Sequence, residues 1–307
     1  MHIETHSDRI WSNNLYLKEE QIKQTFDDAG VQHQLVDAVL DHDIDDVPWN
    51  LATDNYFLDQ SIDHVSLLPE FWHIYRVTSK PVQATPDKLF NCMMNRISGE
   101  RLHALFLLHR YGILDKGYVN FNCINLDKDP DLTTRQNHFK NLVHEIGWQE
   151  VYATEYNSLL DQMPLLIPED PDVSAMKSQI TFVIETYCGK KAVAFSEKIF
   201  RALQTPRPWV LLGSPFSVCL LRDYGFDVLD DCVDHSYDSV THINRNQEVL
   251  KYIIDMIKKE AFVFDEERCK QAVQTNQKLL AEFETRWPQT LSNAIQYIGS
   301  KSHLGEN

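Results

Sequence analysis

The chain is short of positive charge: 29 Lys and Arg stand against 45 Asp and Glu, a formal net charge of -16 over 307 residues. Phosphate backbones are held by clustered Lys and Arg, so this balance argues against nucleic acid as the dominant partner and leaves room only for local basic clefts. Long apolar runs are missing too. Nothing approaches the ~18 consecutive apolar residues of a membrane span, and the opening MHIETHSDRIW has no apolar centre of signal type. The expectation is a cytoplasmic chain with no membrane partner. The six cysteines, at 92, 123, 188, 219, 232 and 269, show no metal-type pairing, which points to free thiols in a reducing compartment.

Several catalytic signatures are absent as well. LLGSP is not continued into G-x-G-x-x-G, which argues against an NAD-type dehydrogenase, and GSPFS lacks the closing glycine of a nucleophile elbow. The acidic run DHDIDD, 41 to 46, has neither the spacing nor the glycine of an EF-hand and reads more simply as a solvated turn. No internal repeat or low-complexity segment interrupts the chain. Apolar residues at 43% and charged residues at 24% suit a folded protein with a genuine core.

What is present reads as α/β. Residues 17–43 have helical spacing and SIDHVSLL, 61 to 68, reads as a strand. KLFNCMMNR, 88 to 96, is a buried strand, followed by a helix through SGERLHALFLLHRYGI with Ser98 as its cap, and then the strand GYVNFNCI. The proline-bearing stretch LLDQMPLLIPEDPDVS, 159 to 174, suggests a boundary. After it come the strand SQITFVIET, a helix from Ser196, the strand PWVLLG, a helix in SPFSVCLLRDYG, a short strand FDVLD and the helix NQEVLKYIIDMIKKE. Alternation of this kind predicts two Rossmann-like halves, 1–165 and 166–307, with a cleft between them.

In such folds ligands gather beyond the carboxyl ends of the strands. Ser196 can cap the helix that follows, Glu197 can accept from ribose hydroxyls and Lys198 can meet a diphosphate. Glu and Lys beside a helix start are also ordinary surface residues, and the DHSYD run, 234 to 238, either lines a cleft or caps the next helix.

The segments FVIET, FSEKIFRAL and PWVLLGSP together resemble the donor-site region of α1,3-fucosyltransferases and related GT-B glycosyltransferases, in which F-x-F-E-N, V-T-E-K-x-W-x-A-L and P-V-V-L-G occur in that order. The segment from Leu89 to Gly117 is similar to that family's preceding strand, loop and helix. With GFDVLDDCVDHSYD, these segments also resemble uncharacterised phage-encoded glycosyltransferase-like proteins, with His235 where their pattern has Glu.

The resemblance implies a GT-B-like fold, an acceptor-side N-terminal half and a donor-side C-terminal half. It implies inverting transfer of a sugar from a nucleotide-sugar donor, a co-substrate, with no other cofactor and no obligatory metal. Residue by residue, it makes Glu197 a ribose ligand, Lys198 and Arg101 diphosphate ligands, and Glu185 the glutamate at the preceding strand end, with Ser196 and Asn95 as neighbouring donor-site residues. Thr186 departs from the family's Asn, so the sugar is left open. For the general base, Asp63, His64 and Glu70 are the candidates. The acceptor is either a glycan or, following the phage-like resemblance, a hydroxymethylated DNA base in a host cytoplasm. DNA would be held by Arg76, Lys80, Lys88, Arg96, Arg110 and Lys116. A non-catalytic GT-B-like binding protein is the remaining alternative, and oligomeric state is not readable.

Overall fold

The computed structural model describes residues 2–5, 34–37, 51–53, 56–57, 64–66, 76, 84–94, 99–121, 132–145, 153–162, 171–185, 188, 192–193, 195–241, 244–259, 262 and 264–302. Its strands fall into two four-stranded parallel sheets and one short antiparallel pair. The first sheet contains β1 (His2–Thr5), β2 (Gln34–Asp37), β3 (Leu51–Thr53) and β5 (His64–Ser66) in the order β2-β1-β3-β5. The second contains β6 (Lys88–Met94), β7 (Gly117–Phe121), β8 (Ser178–Ile184) and β10 (Trp209–Leu212) in the order β10-β8-β6-β7. Counted by appearance in the chain, each sheet reads 2-1-3-4. That is a doubly-wound order, whose switch point lies between the first and third strands. The antiparallel pair joins β4 (Tyr56–Phe57) to β9 (Ala192–Val193).

Two expectations are corrected by this arrangement. The predicted boundary at 165/166 falls within the second sheet, because β6 pairs directly with β8 from Lys88↔Ser178 to Met93↔Val183. The sheets divide between residues 66 and 88 instead. The stretch 159 to 174 separates no cores: Leu159 and Ile180 belong to one cluster, and Pro171 opens the helix Pro171–Met176. Gln34–Asp37, read as helical, is a strand beside β1, since a short apolar run can be claimed by a sheet edge as readily as by a helix.

The second sheet is covered on both faces, which is why its strands are apolar almost throughout. Phe90, Cys92 and Met94 of β6, with Ile180, Phe182 and Ile184 of β8, pack against α1 (Gly99–Arg110) and α7 (Arg245–Lys259). Met93, Val183, Trp209 and Leu211 point the other way. They meet α4 (Pro171–Met176), α5 (Glu197–Leu203), α6 (Ser217–Asp223) and the long α8 (Glu266–Ser302). Between β7 and α4 lie α2 (Leu132–Glu145) and α3 (Ala153–Gln162), whose Phe139 and Leu159 extend the first of these clusters. Each large side chain so buried contributes on the order of 1.5–3 kcal/mol.

Helix α8, 37 residues long, had no counterpart in the sequence reading. Cys269, Ala272, Leu280 and Phe283 supply its buried stripe. Residues 226–230, predicted as a strand, carry no ladder; Asn276 of α8 binds that stretch from both sides, donating to Asp227 O and accepting from Asp227 N. Among the described residues no helix is long and apolar enough to cross a membrane.

At the sheet edge, the fully buried ring of Phe90 lies over Gly117, its register partner on β7. A Cβ on Gly117 would run into that ring. Gly117→Ala is therefore expected to destabilise the fold by roughly 1–3 kcal/mol, the usual cost of overpacking, read as a lowered midpoint in urea denaturation.

Candidate functional site

The switch point of the second sheet lies between β6 and β8, and the residues singled out from the sequence converge at the carboxyl end of β8. Ile184 ends that strand and Glu185 follows it, fully buried. Glu185 Oε2 accepts from Ser196 Oγ at 2.5 Å, and its Oε1 accepts from Ser196 N at 3.2 Å. Ser196 in turn caps α5, its Oγ accepting from Lys198 N at 3.4 Å. Lys198 Nζ donates to the same Oγ at 3.2 Å and to Glu197 Oε1 at 2.9 Å. One buried chain of hydrogen bonds thus links Glu185, Ser196, Lys198 and Glu197.

Exposure differs sharply along that chain. Lys198 is 4% exposed, whereas the Glu197 side chain keeps a third of its surface in solvent. Burial pushes the Glu197 carboxyl up, yet the adjacent Lys198 ammonium outweighs it and holds the group well below the usual carboxylate range. Glu197 is therefore a carboxylate at neutral pH, in contact with Lys198 Nζ.

Arg101 arrives from α1 and is fully buried; its Nε donates to Ile184 O at 2.9 Å. It touches the carboxyl end of β8 from beneath and presents no surface to solvent, so here it braces the strand. The turn after β10 closes on the same place. A Cβ on Gly213 would stand 3.6 Å from Glu185 Cγ and 3.2 Å from Ser217 Oγ. Arg245 of α7 fastens this turn from behind, donating from Nη1 to Gly213 O at 2.6 Å and from Nη2 to Ser214 O at 3.3 Å.

Phe216, three residues beyond Gly213, was not singled out by its sequence context. Its φ of 64° and ψ of 13° put a bulky residue in the left-handed region, at a cost of roughly 1–2 kcal/mol. It also occupies the cap position of α6, where its side chain bonds to nothing. A positive φ is invisible in one-letter code unless the residue is glycine or asparagine.

Other candidates fall elsewhere. Asp63, Glu70, Asn95, Arg96, Lys80, Thr186, Ser98 and the run 41 to 46 lie outside the described residues. His64 opens β5, at the amino end of the first sheet, opposite the end where ligands of such sheets gather. Among the cations proposed to hold DNA, Lys88 begins β6 and donates to Asp115 O at 2.7 Å, Lys116 immediately precedes β7, Arg110 pairs with Glu155, and Arg76 pairs with Glu284 at 2.6 Å. Lys88 and Lys116 thus stand at the amino end of the second sheet, away from Glu185 and Lys198.

The DHSYD run caps a sheet edge. Tyr237 Oη accepts from Leu211 N at 3.0 Å, on the side of β10 that has no neighbouring strand, and lies 2.9 Å from His235 Nδ1. His235 Nε2 lies 2.9 Å from Val228 O, which can only accept, so the proton sits on Nε2 and Tyr237 donates to Nδ1. Burial lowers the pKa of His235 below the usual histidine value.

No family model, no curated protein and no solved structure matches the chain.

Two outcomes follow from these contacts. Ser196→Ala removes the cap of α5 and a donor to the buried Glu185 together, so urea denaturation is expected to show a loss of roughly 1–3 kcal/mol, with Ser196→Thr losing much less. Because folding depresses the affinity of His235 for a proton, the unfolded chain binds protons preferentially below about pH 6.5. Stability is then present above that value and lost as pH falls. Thermal unfolding measured from pH 7.5 to 5.5 should fall less steeply for His235→Gln than for the natural chain.

Proposed function

We propose that the chain is a nucleotide-sugar-dependent glycosyltransferase built from two Rossmann-like halves facing a cleft, with the carboxyl end of the second sheet taking the donor's diphosphate and ribose. The observation that supports this reading is the coincidence of the Glu185–Ser196–Lys198–Glu197 chain with the switch point of a doubly-wound sheet. In such an enzyme Glu197, partly open to solvent and ionised, accepts hydrogen bonds from the ribose hydroxyls. Lys198 exchanges its contact with Glu197 for a diphosphate oxygen, so that its charge meets the negative charge growing on the leaving group while positive charge develops on the sugar. Arg101 contributes from beneath, by holding the end of β8.

An ammonium already oriented by two hydrogen bonds loses little freedom when a phosphate arrives. Inversion at the sugar requires a base at the acceptor hydroxyl, and an acidic side chain from the first sheet's carboxyl end would supply it. For the acceptor, the placement of Lys88 and Lys116 at the opposite end of the sheet, and the internal ion pairs of Arg76 and Arg110, favour a glycan hydroxyl over DNA.

Isothermal titration with UDP, GDP, CDP, ADP and their sugars tests the reading. One nucleoside diphosphate is expected to bind selectively, and Lys198→Ala to weaken it by about 1.5–3 kcal/mol, the worth of a charge-assisted hydrogen bond, with circular dichroism unchanged. Absence of binding by the natural chain to every nucleotide at millimolar concentration would remove the proposal.

A further inference from the structure

Among the described residues two large apolar side chains stand well exposed, Tyr111 at 46% and Phe216 at 40%. Tyr111 is accounted for: the Lys258 ammonium sits 3.7 Å from its ring centre. Phe216 has no ring or cation partner among the described residues, and its position breaks two local rules at once. A left-handed residue is ordinarily glycine or asparagine, and a helix cap is ordinarily Ser, Thr, Asp or Asn. Phenylalanine satisfies neither preference. The backbone nevertheless holds it firmly, with Phe216 N donating to Asp238 O at 3.0 Å and Phe216 O accepting from Leu220 N at 2.9 Å. Strain of this kind, kept at the mouth of a sheet and spent on exposing a ring, is a reason to look for a ligand.

Location narrows the choice. The turn carrying Phe216 begins at Gly213, in van der Waals reach of Glu185, so the ring belongs to the same end of the sheet as Glu197 and Lys198. A ligand with a diphosphate and ribose at those residues carries one more recognisable part, a flat heteroaromatic base. We infer that Phe216 is the stacking platform for the base of a nucleoside diphosphate. The inference rests on the proposed donor site and adds to it the residue that reads the ligand's base. An aromatic face accepts any base by stacking, so Phe216 supplies affinity and leaves the choice among bases to neighbouring polar groups.

The test compares two ligands and two variants. Phe216→Gly relieves the left-handed strain, so the fold is expected to remain at least as stable to heat as the natural chain. Its affinity for the nucleoside diphosphate that the natural chain binds is expected to drop about tenfold, the usual worth of one stacked base. Inorganic pyrophosphate, which has no base, should bind both proteins alike, and Phe216→Trp should retain nucleotide affinity. Equal nucleotide affinity in Phe216→Gly and the natural chain overturns the inference while leaving the donor site standing. Equal loss of nucleotide and pyrophosphate also overturns it, since the side chain would then be acting through the turn. Failure of the natural chain to bind either ligand overturns the donor site and, with it, this inference.

Discussion

Two buried groups at the carboxyl end of β8 set the terms for their surroundings: the last carbonyl of the strand, at Ile184, and the carboxylate of Glu185. Both residues are shut off from solvent, and an unmet buried polar group costs on the order of 1–3 kcal/mol, more when charged. The sheet answers from both sides. Arg101 reaches Ile184 O from α1, which covers one face, while Ser196 reaches Glu185 from the start of α5, which covers the other. Three layers are therefore fastened at a single point, and the position of Lys198 and Glu197 follows from it.

A second buried arginine does corresponding work at the amino end of the same strand. Arg207 donates to the carbonyls of Ser178, Pro206, Met176 and Ala84, tying α4, the start of β8 and the approach to β6 together. Prolines stand on either side of it just past the end of α5, and Arg207 binds the carbonyl of the first, Pro206. The sequence TPRPW thus reads as a stop signal and is also a clasp. Strand β8 is gripped at both ends by guanidinium groups.

Much of the second sheet was legible because its strands are apolar runs bounded by strong punctuation. Residues 88 to 94 and 178 to 184 were read nearly to their ends, and the cap at Ser196 was read correctly. The partition of the chain was misread, since prolines such as Pro171, which opens a helix, carry no information about which strands pair across them. Helix α8 escaped notice because its buried stripe, from Cys269 to Phe283, is thinly apolar and interrupted by Asn276, whose amide is engaged with Asp227. At the candidate site, Glu185, Ser196, Glu197 and Lys198, which the structure brings together, were singled out by spacing and resemblance. The burial of Arg101 and the backbone of Phe216 were not, because burial and positive φ arise from tertiary contacts.

The stripe on α8 has a bearing on how the chain comes to be folded as it is made. Val183, Trp209 and Leu211 point toward the face that α8 helps to close, and that closure needs Cys269, Ala272, Leu280 and Phe283. All three strand residues leave the ribosome before those four are joined. At about 5–20 residues per second, the roughly seventy residues between Leu211 and Phe283 take several seconds to add. Late in that interval the nascent sheet has one face covered by α1 and α7 and the other only partly covered by α4, α5 and α6. The half-built protein therefore exposes apolar surface that is withdrawn from water only when α8 lies down.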